Sequence, residues 1–281
     1  MKAHRRDGQS QQSPLFTTEM RGRIAVLTFC SRVADLLGMN LDAIDQLWRF
    51  FAQQEREPSA GIVLHAPPSV MGPDSVDDVL YGHGIGPDGN AVAQGLFDGS
   101  DFVREMNALR RFIEAVRRAE AFVVVTLSGR MVLPLLGPAL ACDARIASED
   151  FVLVNRILDY SFPPLGGLPW FLTQLVGRTQ AEYLLQRESS IDAKQALGLG
   201  LVDKIVPQEN IVDAAVALAQ DIANRPYGNR EAIKLASVVS GESLDEYMLR
   251  EEAVFKKSVA KLQVRPAVRK SRSAQGRRKE E

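Results

Sequence analysis

Cysteine and histidine are scarce in this chain of 281 residues, which contains two cysteines, Cys30 and Cys142, and three histidines. Two cysteines cannot form the disulfide framework that stabilises small secreted domains, so we expect a reduced, cytoplasmic protein. The two cysteines are far apart and the histidines are not paired at the short spacing of metal ligands. We therefore predict no metal site.

Long apolar runs and an excess of charge of one sign are also absent. No run reaches the roughly 18–20 apolar residues that a membrane span needs, so no membrane association is predicted. The net charge is -1, and the overall charge therefore does not predict nucleic-acid binding. The chain does have 46% hydrophobic residues, enough for a large core and for one or two domains.

The two ends of the chain have compositions that do not build a core. Residues 1–18 contain Lys, Arg, Gln, Ser and Pro and lack the apolar centre of a secretory signal, which predicts a disordered leader. Residues 264–281 are rich in Lys and Arg and are predicted to form a basic disordered tail. Between these ends we predict a core domain at 19–206 and a helical region at 207–263.

Within the core domain, short β-branched segments alternate with segments of helical spacing. The predicted strands are Arg23–Cys30, Gly61–His65, Phe122–Leu127, Ala144–Ser148, Phe151–Val154 and Lys204–Val206. The predicted helices are Leu41–Gln54, Asp101–Ala119, Leu168–Val176, Thr179–Gln186 and Asp192–Gly198. The glycine-rich residues 72–100 between them are predicted to be a loop. This alternation predicts an α/β fold with parallel strand pairing, followed by an all-helical C-terminal region.

Two runs carry a family resemblance. They are Gly129-Arg-Met-Val-Leu-Pro-Leu-Leu-Gly-Pro-Ala-Leu-Ala-Cys-Asp143 and Ile191-Asp-Ala-Lys-Gln-Ala-Leu-Gly-Leu-Gly-Leu-Val202. Together with Pro164, Gly167 and Leu175-Val176-Gly177, they resemble the enoyl-CoA hydratase/isomerase (crotonase) family over residues 23–258. The resemblance implies a crotonase-like spiral of ββα units and a C-terminal helical region used for trimerisation. It also implies homotrimers or hexamers, and a CoA thioester as substrate or ligand with no further cofactor.

The resemblance further implies an oxyanion pocket built from two backbone N–H groups that bind the thioester oxygen. The first donor belongs to the loop at 69–72, at Val70 or Met71. The second, a glycine in the family, aligns to Pro134, which has no N–H, and losing one such donor typically costs about 10²–10³-fold in rate. Two interpretations stay open: Leu133 or Leu135 supplies the N–H instead, or Pro134 simply begins a helix, where proline is common.

Hydration by this family also needs two carboxylates, one to activate water and one to deliver a proton. The corresponding positions hold Gly137 and Ile157, neither of which can transfer a proton, so we predict that ordinary hydratase activity is absent. Asp159 is a candidate replacement base, or else a surface or capping carboxylate. Arg156 is a candidate ligand for an acid group or an enolate, or else a partner in a structural ion pair.

Two hypotheses of different classes follow. The first is an acyl-CoA-binding protein with a degenerate active site that has lost the usual reaction. The second is a catalytically inactive subunit that uses the fold to assemble with a protein partner, its pocket filled by Leu133, Leu135 and Leu136. A hydratase remains a third hypothesis if Glu149, Asp150 or Asp159 supplies the acid and base.

Overall fold

The computed structural model describes residues 15–30, 41–56, 59–68, 70–74, 100–155, 164, 166–186, 190–225, 243–249 and 251–253. These residues form an α/β fold built on one large sheet and one small sheet. Within this described part of the chain, no helix combines the length and the apolarity that a bilayer crossing requires.

The large sheet has six strands and is mainly parallel. Its strands, in chain order, are β1 (Phe16–Arg21), β2 (Ile24–Phe29), β3 (Gly61–His65), β4 (Phe122–Leu127), β6 (Ala144–Ser148) and β9 (Lys204–Val206). They lie in this same order across the sheet. Only the edge pair β1–β2 is antiparallel, and the other four pairs are parallel. The predicted parallel pairing is therefore confirmed.

The small sheet has three strands: β5 (Arg130–Val132), β7 (Val152–Val154) and β8 (Ser190–Asp192). The β5–β7 pair is parallel and the β7–β8 pair is antiparallel. Because β5 directly follows β4 through a turn at Gly129, the chain leaves the large sheet and enters the small one within three residues. Gly129 has φ +61°, and a Cβ there would lie 2.8 Å from the Cβ of Pro68, so this turn favours glycine.

The helices with defined bounds in the described part of the chain are α1 (Leu41–Arg56), α2 (Ser100–Arg118), α3 (Leu136–Leu140), α4 (Leu168–Gln186), α5 (Ala193–Gly198) and α6 (Ile211–Ala223). Residues 244–249 and 251–253 are also helical and are called the C-terminal helical segment below. Helix α6 covers one face of the large sheet, where its Ala219 meets the backbone of β3 at Gly61. The opposite face packs against α1, α2, α3, α4 and the small sheet.

The sequence located most elements but misplaced several boundaries. Strand β1 begins at Phe16, inside the predicted leader 1–18, because its pairing with β2 depends on backbone hydrogen bonds while its side chains are mostly exposed. Helix α2 begins at Ser100 rather than Asp101. In contrast, the two helices predicted at Leu168–Val176 and Thr179–Gln186 are confirmed, because the span of α4 consists of two helices separated by a kink at Gly177, where φ is 76° and ψ is 162°.

The start of α5 shows how local chemistry sets an element boundary. Asp192 precedes the helix, and its side chain accepts a hydrogen bond from the N–H of Gln195 at 2.8 Å. The Gln195 side chain accepts in return from the N–H of Asp192 at 3.0 Å, which completes a capping box. The predicted helix at Asp192–Gly198 is therefore confirmed, with Asp192 as its N-cap.

Asp203 anchors β6 to the segment before β9, and this contact generates a stability prediction. Its carboxylate accepts from the Arg145 N–H at 2.7 Å and pairs with the Arg145 guanidinium at 2.9 Å. Since that guanidinium is buried, we expect Asp203→Ala to lower the free energy of unfolding by about 1–3 kcal/mol in urea titrations. The control is Asp213→Ala, which removes an exposed pair with Arg21 and should cost at most about 1 kcal/mol. Equal costs for the two variants would contradict the prediction.

Candidate active site

The two segments predicted to form the oxyanion pocket lie side by side. The Val132 N–H at the end of β5 donates to the Met71 carbonyl at 3.1 Å. This hydrogen bond joins the loop at 70–74 to the strand that leads directly into Pro134. A Cβ at Gly72 would lie 3.5 Å from the Arg130 carbonyl, so the loop follows β5 closely.

Val70 and Met71 differ in what their N–H groups can do. The Val70 N–H donates to the Pro67 carbonyl at 3.0 Å, and Val70 is buried. The Met71 side chain is only partly buried, and among the described residues none accepts a hydrogen bond from the Met71 N–H. Of these two N–H groups, only that of Val70 is thus hydrogen-bonded within the described residues.

Pro134 lies in the first turn of a short helical segment. Residues Leu133–Leu135 form a 3-10 turn that continues into α3, and the first hydrogen bond of the turn runs from the Leu136 N–H to the Leu133 carbonyl. N–H groups at the start of such a turn have no partner within the helix. Proline is therefore compatible with this turn, and Leu133 and Leu135 are the residues of the turn that carry N–H groups.

The leucines around Pro134 differ in exposure. Leu133 and Leu136 are each 1% exposed and belong to the main core. Leu135 is half-buried and packs at the edge of that core. Of the two leucine N–H groups in the turn, the one at Leu135 thus belongs to the more accessible residue.

Gly137 has no room for any side chain. An ideal Cβ built on Gly137 would overlap the carbonyl oxygen of Gly166, and it would also lie 3.0 Å from the Gly166 carbonyl carbon and 3.2 Å from the Leu168 nitrogen. All three of these atoms belong to the backbone, so a rotamer change cannot relieve the overlap. Glycine is therefore required at position 137 in this structure.

The contact with Gly137 comes from a turn with two consecutive left-handed residues. Gly166 and Gly167 have φ values of 70° and 68°, a conformation that glycine adopts without strain. Helix α4 begins immediately afterwards at Leu168. A Cβ at Gly166 would lie 3.0 Å from the Leu109 side chain, so α2 packs tightly on the turn. We call Gly137 and the Gly166–Gly167 turn the closed corner.

A buried carboxyl group lies against this turn. Glu251 of the C-terminal helical segment is 5% exposed, and it accepts a hydrogen bond from the Gly167 N–H at 3.0 Å. Burial raises the pKa of Glu251 to about 7, although hydrogen bonds from Gly167, Gly166 and Tyr247 oppose the shift. Its carboxyl group therefore exchanges a proton near neutral pH.

Glu251 was not among the residues predicted from the sequence. It follows Leu244 and Met248 at helical spacing, and both of these residues are buried. That spacing places Glu251 on the apolar face of the segment. A glutamate on an apolar helical face is the signal in the sequence that indicates this group.

The structure describes only some of the other predicted site residues. Ile157, Arg156 and Asp159 lie outside the described residues. Asn155, just before them, is buried and donates to the Leu184 carbonyl at 2.7 Å. Arg130 is exposed, as are Glu149 and Asp150.

His65 contacts a neighbouring side chain at the end of β3. Its Nδ1 atom lies 2.7 Å from the hydroxyl oxygen of Thr126 on the neighbouring strand. Burial lowers the pKa of His65, which favours the neutral imidazole at pH 7. Across the described part of the chain, no three His, Cys, Asp or Glu side chains are grouped as metal ligands would be.

The sequence and the fold of this chain are both similar to those of one protein family. The sequence model of the family described as enoyl-CoA hydratase/isomerase matches residues 106–279. A solved enoyl-CoA hydratase from Thermoplasma volcanium GSS1 is 26% identical, with a TM-score of 0.62, over 89% of this chain and 93% of that one.

Two further solved structures share the fold at lower identity. An enoyl-CoA hydratase/isomerase from Pseudoalteromonas atlantica T6c has 20% identity and a TM-score of 0.67, over 88% of this chain and 92% of that one. A monofunctional enoyl-CoA isomerase from M. smegmatis has 19% identity and a TM-score of 0.60, over 84% and 99%. The predicted crotonase-like α/β fold is confirmed.

The closed corner predicts that adding a side chain at position 137 destabilises the folded protein. Gly137→Ala should lower the free energy of unfolding by about 1–3 kcal/mol or more, because the new methyl group must displace the Gly166 backbone. The matched control is Gly198→Ala at the end of α5, where a Cβ meets no atom within 4 Å. That substitution should be neutral or stabilising by up to about 1 kcal/mol. Chemical denaturation of both variants checks the prediction, and equal stabilities would refute it.

The raised pKa of Glu251 predicts how the free energy of unfolding depends on pH. Its pKa is raised from 4.5 to about 7 on folding, so between these values the folded state binds more protons than the unfolded state. Stability then falls as the pH rises from about 4.5 to about 7, by an amount on the order of 3 kcal/mol. Glu251→Gln should remove this part of the slope in urea titrations at several pH values. An unchanged slope in that variant would show that Glu251 is not the group responsible.

Proposed function

This chain belongs to the enoyl-CoA hydratase/isomerase family, and we propose that it binds an acyl-CoA thioester without catalysing the hydration reaction of that family. The observation that carries the proposal is the closed corner. Position 137, where the resemblance expects a catalytic carboxylate, has its side-chain direction occupied by the Gly166 carbonyl oxygen. A glutamate cannot enter this position unless the turn moves.

Thioester binding requires hydrogen-bond donors, and the site offers two candidates. The Met71 N–H is one, because it makes no hydrogen bond within the described residues. The Leu135 N–H is the other, because it precedes the Leu136 N–H, which makes the first hydrogen bond of the 3-10 turn, and because Leu135 is half-buried. Pro134, at the position expected for the second donor, contributes none. A pocket of this kind would bind the thioester oxygen through the N–H groups of Met71 and Leu135, with Leu135 as the second donor in place of residue 134.

The second expected carboxylate position is Ile157, which cannot exchange a proton. We propose Asp159 and Arg156 as the nearby groups that would act on a bound acyl group, Asp159 as a base and Arg156 as a cation for an acidic group or an enolate. The reaction itself is not assigned. The proposal extends to assembly as a homotrimer or hexamer in the cytoplasm, and to a CoA thioester as the ligand with no separate cofactor.

A second candidate function is a non-catalytic subunit that assembles with another protein. The observation in its favour is the burial of Leu133 and Leu136, which are 1% exposed at positions next to the expected thioester pocket. Side chains of this size in the core reduce the space for an acyl group. Under this candidate, the fold is retained for its surfaces rather than for a pocket.

Calorimetric titration with crotonyl-CoA tests the proposal. We expect a dissociation constant in the micromolar range for the unmodified protein. Met71→Pro removes the proposed N–H donor and should weaken binding by about tenfold or more, the loss expected for one hydrogen bond to a developing anion. Met71→Leu is the matched control, since it keeps the N–H, and it should bind within about threefold of the unmodified protein.

The two candidates give different results in this titration. Absence of binding to crotonyl-CoA and to free CoA would refute the thioester proposal and favour the assembly subunit. Equal weakening by Met71→Pro and Met71→Leu would show that the side chain, and not the N–H, matters at this position.

A further inference from the structure

The peptide group between Gly166 and Gly167 has contacts on both sides. Its carbonyl oxygen lies against Gly137, and its N–H donates to the carboxyl group of Glu251 at 3.0 Å. In a trans peptide the C=O and N–H bonds point in opposite directions. Glu251 and Gly137 therefore lie on opposite sides of one planar group, and a rotation of that group changes both contacts together.

The turn presents more than one N–H to Glu251. Its second carboxyl oxygen lies 3.4 Å from the Gly167 nitrogen, and Gly166 also contributes a hydrogen bond to the group. Successive N–H groups in left-handed residues form a concave site that suits an anion. Here the carboxyl group of the chain itself occupies that site, and it comes from a segment more than 80 residues later in the sequence.

The side-chain atoms nearest to the two glycines of this turn belong to apolar residues. From elements other than the C-terminal helical segment, these are Leu109 of α2, Pro138 of α3 and Phe171 of α4. Tyr247, one turn before Glu251, is the titratable side chain that donates to it. With these neighbours, the protonation state of Glu251 depends chiefly on burial and on the backbone N–H groups.

We propose that Glu251 is a positioning residue that fixes the orientation of the Gly166–Gly167 peptide group and holds its carbonyl against Gly137. In this way it couples the C-terminal helical segment to the wall of the thioester site. This inference rests on the proposed function, since it takes the closed corner to be part of that wall. The carboxyl group does not touch the ligand. It acts through the orientation of one peptide group.

The contact is sensitive to pH in a defined direction. Releasing the C-terminal helical segment from the turn would return Glu251 to water, where its pKa is 4.5 rather than about 7. Raising the pH through this window therefore favours the released arrangement by up to about two orders of magnitude in the equilibrium constant. The contact is strongest below about pH 4.5 and weakens as the pH rises to about 7.

Trp170 provides a local reporter for this contact. It lies in the first turn of α4, three residues after Gly167, and its ring packs edge-on against Phe171. The Arg117 guanidinium lies 5.7 Å from the Trp170 ring centroid. The chain has one other tryptophan, Trp48, so a Trp48→Phe background isolates the Trp170 signal.

The test compares three proteins in the Trp48→Phe background over pH 5.5 to 8.5. We expect Trp170 fluorescence to change with a midpoint near pH 7 in the background protein. Glu251→Gln keeps an acceptor for the Gly167 N–H without a charge, and its fluorescence should stay constant. The matched control is Asp245→Asn, which makes the same charge change at an exposed position of the same segment and should keep the midpoint. A midpoint near pH 7 that survives in Glu251→Gln, or no transition in any of the three, would overturn the proposal.

A parallel titration with crotonyl-CoA separates this inference from the proposed function. If Glu251 positions the wall of the site, the affinity for crotonyl-CoA should change with pH around pH 7 in Asp245→Asn. The same change in affinity should be at least threefold smaller in Glu251→Gln. Equal pH dependence in the two variants, with binding intact, would overturn the inference and leave the proposed function standing. A fluorescence transition that depends on Glu251, without any acyl-CoA binding, would support the role of Glu251 in the turn and refute the proposed function.

Discussion

The carbonyl oxygen of Gly166 lies where a side chain at position 137 would have to be, and the rest of the site depends on this contact. It requires glycine at 137 and a turn of two left-handed residues, which Gly166 and Gly167 supply. It also brings α3 against the start of α4. The carboxyl group of Glu251 holds the other side of the same peptide group. Position 137, where the family resemblance expects a catalytic carboxylate, is thus part of a tightly packed backbone contact.

The residues of this site that differ from those expected from the family resemblance are consistent with one another in how they pack. A proline at 134 removes an N–H, but it stands at the start of a 3-10 turn, where its fixed backbone angle is suited to the local structure. Leu133 and Leu136, on either side of that turn, extend the main core. Glycine at 137 then lets α3 approach the Gly166 turn closely. These residues pack tightly around the start of α3, and this packing supports the proposal that the protein keeps the fold without the hydration reaction.

Much of the fold could be predicted from the sequence because its central strands are buried and rich in β-branched residues. Gly61–His65, Phe122–Leu127 and Ala144–Ser148 are found with the predicted bounds. Strands β1, β5 and β8 were missed, since β1 is mostly exposed and β5 and β8 are each only three residues long. The sequence also indicated that Gly137 cannot act as an acid. It could not indicate why glycine is needed there, nor that Glu251 contacts the turn, because both facts depend on contacts between distant segments.

The most direct test of the central claim is the rate at which the purified protein hydrates crotonyl-CoA. A closed corner at Gly137 and an isoleucine at 157 leave neither expected carboxylate, so we predict no turnover above the uncatalysed rate, even at saturating crotonyl-CoA. Turnover at rates typical of enzymes, on the order of 1–10³ s⁻¹, would contradict the account. It would mean that other groups supply the acid and the base, or that the Gly166 turn moves when the thioester binds.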